Sequence, residues 1–169
     1  MAEIPQTLKK VREAGFFLAL MKNAAKLMDF EREDFEFYLS AFLSAGRSVT
    51  FCLCSDLGGK KIYKPRFDLW WGKLNDEQHD EMDFLRDQRN LALKTGRTDV
   101  EAKIEMVPIT QIEMGPRTDP RYSISWVGET EVPEIGMKVH YFTSGATREQ
   151  VIAKCTRYFE LLEKLVREI

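Results

Sequence analysis

The sequence predicts a mainly α fold: an up-and-down bundle of four main helices with a small three-stranded antiparallel β insertion before the last helix. Three observations predict it. Apolar residues recur at three-and-four spacing over two long N-terminal stretches, and again at the C-terminus. Between these regions, from Thr98, the period changes to two. A length of 169 residues suits one domain, 1–169, with the insertion at 98–145.

The first helix is expected from about Gln6 to Met28. Val11, Leu18, Met21, Ala25 and Met28 form one stripe, and Phe16, Leu20 and Leu27 lie on another side. A second helix, from about Glu31 to Cys54, carries Phe35, Leu39, Phe42, Gly46, Val49 and Leu53 as a single core-facing seam. Its far side holds Ser40, Ser44, Arg47 and Ser48. Phe37 and Phe51 share that side and point to a second buried contact.

"DLGGKKIYKPRFDLWWGKLND" breaks the pattern with a Gly pair and Pro65, and reads as a loop with one short helical turn at "RFDLWWGKL". The third helix starts on Asn75 as N-cap, with Gln78 at the capping-box position, and ends near Lys94 before Gly96. "VEAKIEM" from Val100, "YSISWV" from Tyr122 and "MKVHYF" from Met137 alternate as three strands. "TREQ", Thr147 to Gln150, caps the last helix. Val151, Cys155, Tyr158, Phe159, Leu162, Val166 and Ile169 form its apolar face.

Hydrophobic residues make up 44% and charged residues 31%, a globular composition. The formal net charge of -2 gives no global attraction to nucleic acid, so any such site is a local patch. No basic start is followed by an apolar run, and "GFFLALM" is too short to cross a bilayer. Cys52, Cys54 and Cys155 read as reduced thiols of a cytoplasmic protein. His79 and His140 are the only histidines and have no metal-ligand spacing, so neither metal nor cofactor is expected.

The third helix carries the chemistry. At about 100° per residue, Met82, Leu85, Ala92 and Leu93 fall within about a sixth of a turn of Arg89, and Phe84 and Leu91 lie opposite. An arginine amid apolar neighbours needs partners, because an unpaired desolvated guanidinium is costly. One solution is an internal pair with Asp83, Asp87 or Glu36, or a stem lying along apolar surface with its head in water. The other is a self-associating face in which Arg89 from two chains awaits a phosphate.

"FEFYLSAFLSAGRSVTF" followed by "FLRDQRNLALKTG" resembles the HEPN domains of bacterial toxin–antitoxin and defence systems. The HEPN signature is Arg, a polar residue, a short spacer and His near a helix end. Arg89 and Asn90 match the first two positions, and Lys94 stands at the histidine position. The resemblance covers about Gln6 to Gly96 plus the last helix.

The resemblance implies a homodimer that cleaves RNA without metal in a cleft between subunits, with an antitoxin as a further partner. The 2′-hydroxyl attacks the neighbouring phosphate, arginine stabilises the developing charge and histidine manages the proton. Arg89, Asn90 and Lys94 would occupy the catalytic positions. Lysine, with an ordinary pKa of about 10.4, is a poor proton carrier at pH 7 unless burial or other cations lower it. Binding with altered or lost cleavage is therefore the expectation.

"GKKIYKPR" concentrates Lys60, Lys61, Lys64 and Arg66 beside Tyr63, Phe67, Trp70 and Trp71, a mixture suited to single-stranded RNA. Arg86 and Arg97 extend this patch if the loop folds over the third helix. The same cations and rings also suit a solvated loop closed by a tryptophan pair. Two other readings stay open: a non-catalytic interaction module docking a partner protein on the β insertion, and a nucleotide-binding helical dimer.

Overall fold

The computed structural model describes residues 3–25, 32–96, 98–108, 134–143 and 149–169, with backbone alone at 32–33, 106–108 and 134–138. Their elements run α1 (Pro5–Ala24), α2 (Arg32–Asp56), α3 (Lys60–Trp71), α4 (Asp76–Thr95), β1 (Val100–Pro108), β2 (Glu134–Phe142) and α5 (Val151–Glu168). The chain is mainly helical with a small antiparallel sheet.

The six-residue seam puts α2 at the centre. Phe35, Leu39, Phe42 and Val49 are 0% exposed and Leu53 is 1% exposed. Gly46 lets α5 approach closely: a Cβ there would stand 2.8 Å from Tyr158 Cε1 and 3.3 Å from Leu162 Cδ1. The backbone N–H and Oγ1 of buried Thr7 both donate to Asp56 Oδ2 at 2.8 Å, tying the start of α1 to the end of α2. By length and composition, Asp34–Asp56 is apolar enough to cross a membrane, with mean hydropathy 1.3. In this fold it is the core helix of the bundle, packed against α1, α4 and α5.

After α2 the chain turns through Gly58 (φ 88°) and Gly59 (φ 103°), both in the left-handed region that glycine tolerates. The expected loop beyond is wrong: Lys60–Trp71 is a helix with Pro65 inside it. An interior proline costs about 3 kcal/mol. Tyr63, Phe67, Trp70 and Trp71, spaced three and four apart, offset that cost by turning inward. Trp70 is only 2% exposed and the other three pack against the core. Each fully buried large side chain contributes about 1.5–3 kcal/mol, so the aromatic stripe outweighs the proline.

The reading of α4 holds at both ends. Asn75 Oδ1 accepts from the Gln78 N–H at 2.9 Å, Gln78 Oε1 accepts from the Asn75 N–H at 3.2 Å, and Gly96 is left-handed at φ 67°. β1 and β2 pair antiparallel from Val100↔Phe142 to Pro108↔Glu134. The expected strand at Tyr122–Val127 lies outside the described residues, as does the expected helix end at Met28.

The cap expected on the last helix is displaced. Gln150 is itself the extended N-cap, with no side-chain hydrogen bond capping the helix, and bridges to Tyr141 of β2. The sheet takes Glu149 and Gln150 away from the helix: Phe142 N–H donates to Glu149 O at 3.0 Å. Thr147 lies outside the described residues.

Candidate nucleic-acid interface

The buried stripe of α4 is Glu81, Met82, Leu85 and Gln88, so the core side is centred nearer Leu85 than Arg89. Arg89 stands half-buried on its border. The Phe84 side is covered by the sheet, with Phe84 edge-on to Phe142 at 5.0 Å. Leu93, in the same sector as Arg89, is 59% exposed.

The internal pair is not made. Arg86 takes Asp83 at 2.7 Å and Asp87 at 3.2 Å. Among the described residues no carboxylate pairs with Arg89. Its Nη1 donates to Asn90 Oδ1 at 3.3 Å, and its Nε is buried with no hydrogen-bond partner. A buried donor left unsatisfied costs about 1–3 kcal/mol, more when charged. A phosphate oxygen has the charge and lone pairs to relieve that cost.

Arg89 and Asn90 are thus brought together, whereas Lys94 is set apart from Arg89. Five residues on, Lys94 lies about 140° round the helix and about 7.5 Å along its axis. It is exposed in the last turn, where a cation complements the helix dipole. Both histidines make other contacts. His79 Nε2 lies 2.9 Å from the Trp71 carbonyl and its ring stacks on Trp71 at 4.7 Å, near the opposite end of α4. His140 is 4% exposed and stacks on Phe35 at 3.7 Å, on β2, the strand whose Phe142 packs on Phe84.

The cations of the expected basic loop lie on the outer side of α3, while its rings face the core. Lys64 is held by Asp68 at 2.7 Å and Arg66 donates to the Ile169 carbonyl at 3.0 Å. Lys60 and Lys61 are exposed at the far end of α3. Arg97 lies outside the described residues. Only the C-terminal end of α3 reaches Arg86, across a cleft that Phe67 and Trp71 also line.

Sequence reading missed two features. The first is Arg47 on α2, which lines that same cleft. The sole signal was an arginine among serines opposite the seam. The second is a charged lock between α4 and α5. Arg157 Nη2 reaches Glu149 Oε2 at 2.7 Å and Glu81 Oε2 at 3.3 Å, and Lys154 joins both carboxylates at 3.0 and 3.6 Å. Burial raises the Glu81 carboxyl above its usual value despite both cations. The Lys154 hydrogen bond lowers Glu149.

Among the described residues, no group of three or more His, Cys, Asp or Glu side chains is placed to hold a metal ion. The three cysteines are free thiols, and burial pushes that of Cys155 far up. Scans against protein-family models, curated proteins and solved structures return no match to this chain.

Proposed function

We propose that this chain is a HEPN-like RNA-binding protein of a toxin–antitoxin or defence system, cytoplasmic and homodimeric. Arg89 and Asn90 hold a phosphate, and Lys94 adds a cation at the helix end. The observation that carries the reading is the half-buried Arg89 whose Nε has no partner while both nearby aspartates are engaged by Arg86.

Homodimerisation draws support from the far side of α2. Phe37 and Phe51 are each 59% exposed, as is Leu93 near Arg89. Among the described residues no second buried contact covers Phe37 and Phe51, and a second copy would supply it. Binding rather than cleavage is the assigned activity. In-line attack by a 2′-hydroxyl needs a group to take its proton, and both histidines are committed to Trp71 and Phe35. A second reading, docking of a partner protein on the β insertion, draws on Ile104, 76% exposed on β1.

The test is incubation of mixed cellular RNA with pure protein in chelator, beside Arg89→Ala and Lys94→Ala. The expected result is RNA retained by the parent protein and released by Arg89→Ala, with the RNA intact. Retention equal in parent and Arg89→Ala would overturn the phosphate role. Chelator-resistant cleavage abolished by both substitutions would replace binding with catalysis.

A further inference from the structure

The C-terminal end of α3 meets α2, α4 and α5 around a cleft of about 290 Å³. Arg47 of α2 and Arg86 of α4 both line it. Phe67, Trp71 and Tyr158 supply aromatic wall, with Met82 beside them. Phe67 and Trp71 line the space half-buried and stack on each other at 5.7 Å, with the Trp71 ring also stacked on His79 at 4.7 Å, whereas Tyr158 is 4% exposed.

Arg47 is the uncompensated charge. Two carboxylates line the cleft, but Asp68 is held by Lys64 at 2.7 Å and Asp83 by Arg86 at 2.7 Å. Among the described residues no carboxylate pairs with Arg47. Its guanidinium lies 4.7 Å over the Phe51 ring, and Nη1 stands 3.5 Å from Thr50 Oγ1. The cation–π contact fixes the side chain without neutralising it. Its charge is felt by Tyr158, which burial nonetheless pushes up to about 12.

A half-buried guanidinium without a carboxylate partner, beside an aromatic wall and a second guanidinium whose Nη1 and Nε are taken by Asp83 and Asp87, selects a planar ring carrying an anionic oxygen group. Forked hydrogen bonds suit phosphate, and ring faces suit a base. The volume sits at the lower edge of small-molecule clefts, about 300–1,000 Å³, and matches one nucleotide.

We propose that this cleft binds a nucleoside monophosphate unit, with phosphate on Arg47 and Arg86 and the base against Phe67 and Trp71. The unit is supplied either by a free nucleotide or by one residue of an RNA strand. Arg86 stands one turn before Arg89 on α4, so a strand held at Arg89 would pass this cleft. That second source alone rests on the RNA-binding reading.

The experiment is calorimetric titration of the four ribonucleoside 5′-monophosphates, their nucleosides and a short single-stranded RNA. The proteins are the full chain, Arg47→Gln, Arg86→Gln and Arg89→Ala, each with its urea unfolding curve. The expected result is one monophosphate bound per chain, at least about tenfold more tightly than its nucleoside. Either Arg47→Gln or Arg86→Gln then weakens it by about tenfold while unfolding as the parent does. No binding of any monophosphate by the folded parent overturns the proposal, as does binding indifferent to both substitutions. RNA bound through Arg89 but unaffected by Arg47→Gln, with no monophosphate bound, sinks the cleft and leaves the RNA reading standing. Monophosphates bound through Arg47 with no affinity for RNA uphold the cleft with a free nucleotide, and sink the RNA reading.

Discussion

Replacing Gly46 by alanine tests the packing that sets the whole bundle. The added Cβ would stand 2.8 Å from Tyr158 Cε1 and 3.3 Å from Leu162 Cδ1. Leu162 is 0% exposed, and Tyr158 is 4% exposed with its ring edge-on to Phe42 at 6.1 Å, so neither side chain has room to swing away. Overpacking of this kind costs about 1–3 kcal/mol. Against it stands the gain from removing a glycine inside α2, about 1 kcal/mol. The net expectation is a loss of up to about 2 kcal/mol, and Gly46→Val, with two more methyl groups, should lose more.

Urea unfolding monitored by helical circular dichroism measures this directly. A double-mutant cycle isolates the clash: in a Tyr158→Ala background the same Gly46→Ala change should become stabilising, because the 2.8 Å clash is gone and only the milder 3.3 Å contact with Leu162 opposes the helix-propensity gain. The coupling between the two positions should be about 1–3 kcal/mol. If Gly46→Ala stabilises the parent as much as it stabilises the Tyr158→Ala variant, α5 does not pack on Gly46 and the reasoning fails.

Two further outcomes follow from local chemistry. Asn75→Ala removes the acceptor of the capping box and should lower stability by about 1 kcal/mol in the same urea assay, whereas Asn75→Asp should retain most of it. Glu81→Gln should change the pH dependence of stability. The Glu81 carboxyl is raised above its usual 4.5, so its contribution is fully present below that value and is lost as pH rises through the folded one. Glu149 is lowered and acts oppositely, contributing above the usual value and losing that contribution as pH falls through its own. Removing the Glu81 carboxyl should therefore make the unfolding free energy fall less steeply above pH 4.5, and parallel curves for the two proteins would contradict this.

What was legible in the sequence was local or periodic. The capping box at Asn75 and Gln78 depends on residues three apart, and the left-handed Gly96 on its own backbone freedom. The seam from Phe35 to Leu53 is one period repeated, and all of it is buried. Where the reading failed, distant packing overrode a local signal. Pro65 and the paired glycines are breakers taken alone, yet four aromatics on one side of α3 find the core. Gln150 is a good third helix residue, but β2 claims it as a bridge.

The candidate site was legible only in part. Arg89 and Asn90 are neighbours in sequence and their side chains meet. A helical wheel of apolar residues placed Arg89 at the centre of its sector because it left out Glu81 and Gln88. Both are buried polar residues, and Glu81 is held by Arg157 and Lys154 from α5. Arg47 showed in sequence only as an arginine among serines, since its place beside Trp71 and Arg86 depends on four helices meeting.

The most direct test of the central claim is fluorescence anisotropy of labelled single-stranded RNA, titrated with parent protein, Arg89→Ala and Arg89→Lys at about 50 and 200 mM salt. A hydrogen bond to a charged group is worth about 1.5–3 kcal/mol, so Arg89→Ala should weaken binding by at least about tenfold. Arg89→Lys should fall between, keeping the charge and losing the fork. The parent's affinity should drop steeply with salt. Binding unchanged by Arg89→Ala, or no RNA binding by the parent at either salt concentration, would contradict the account.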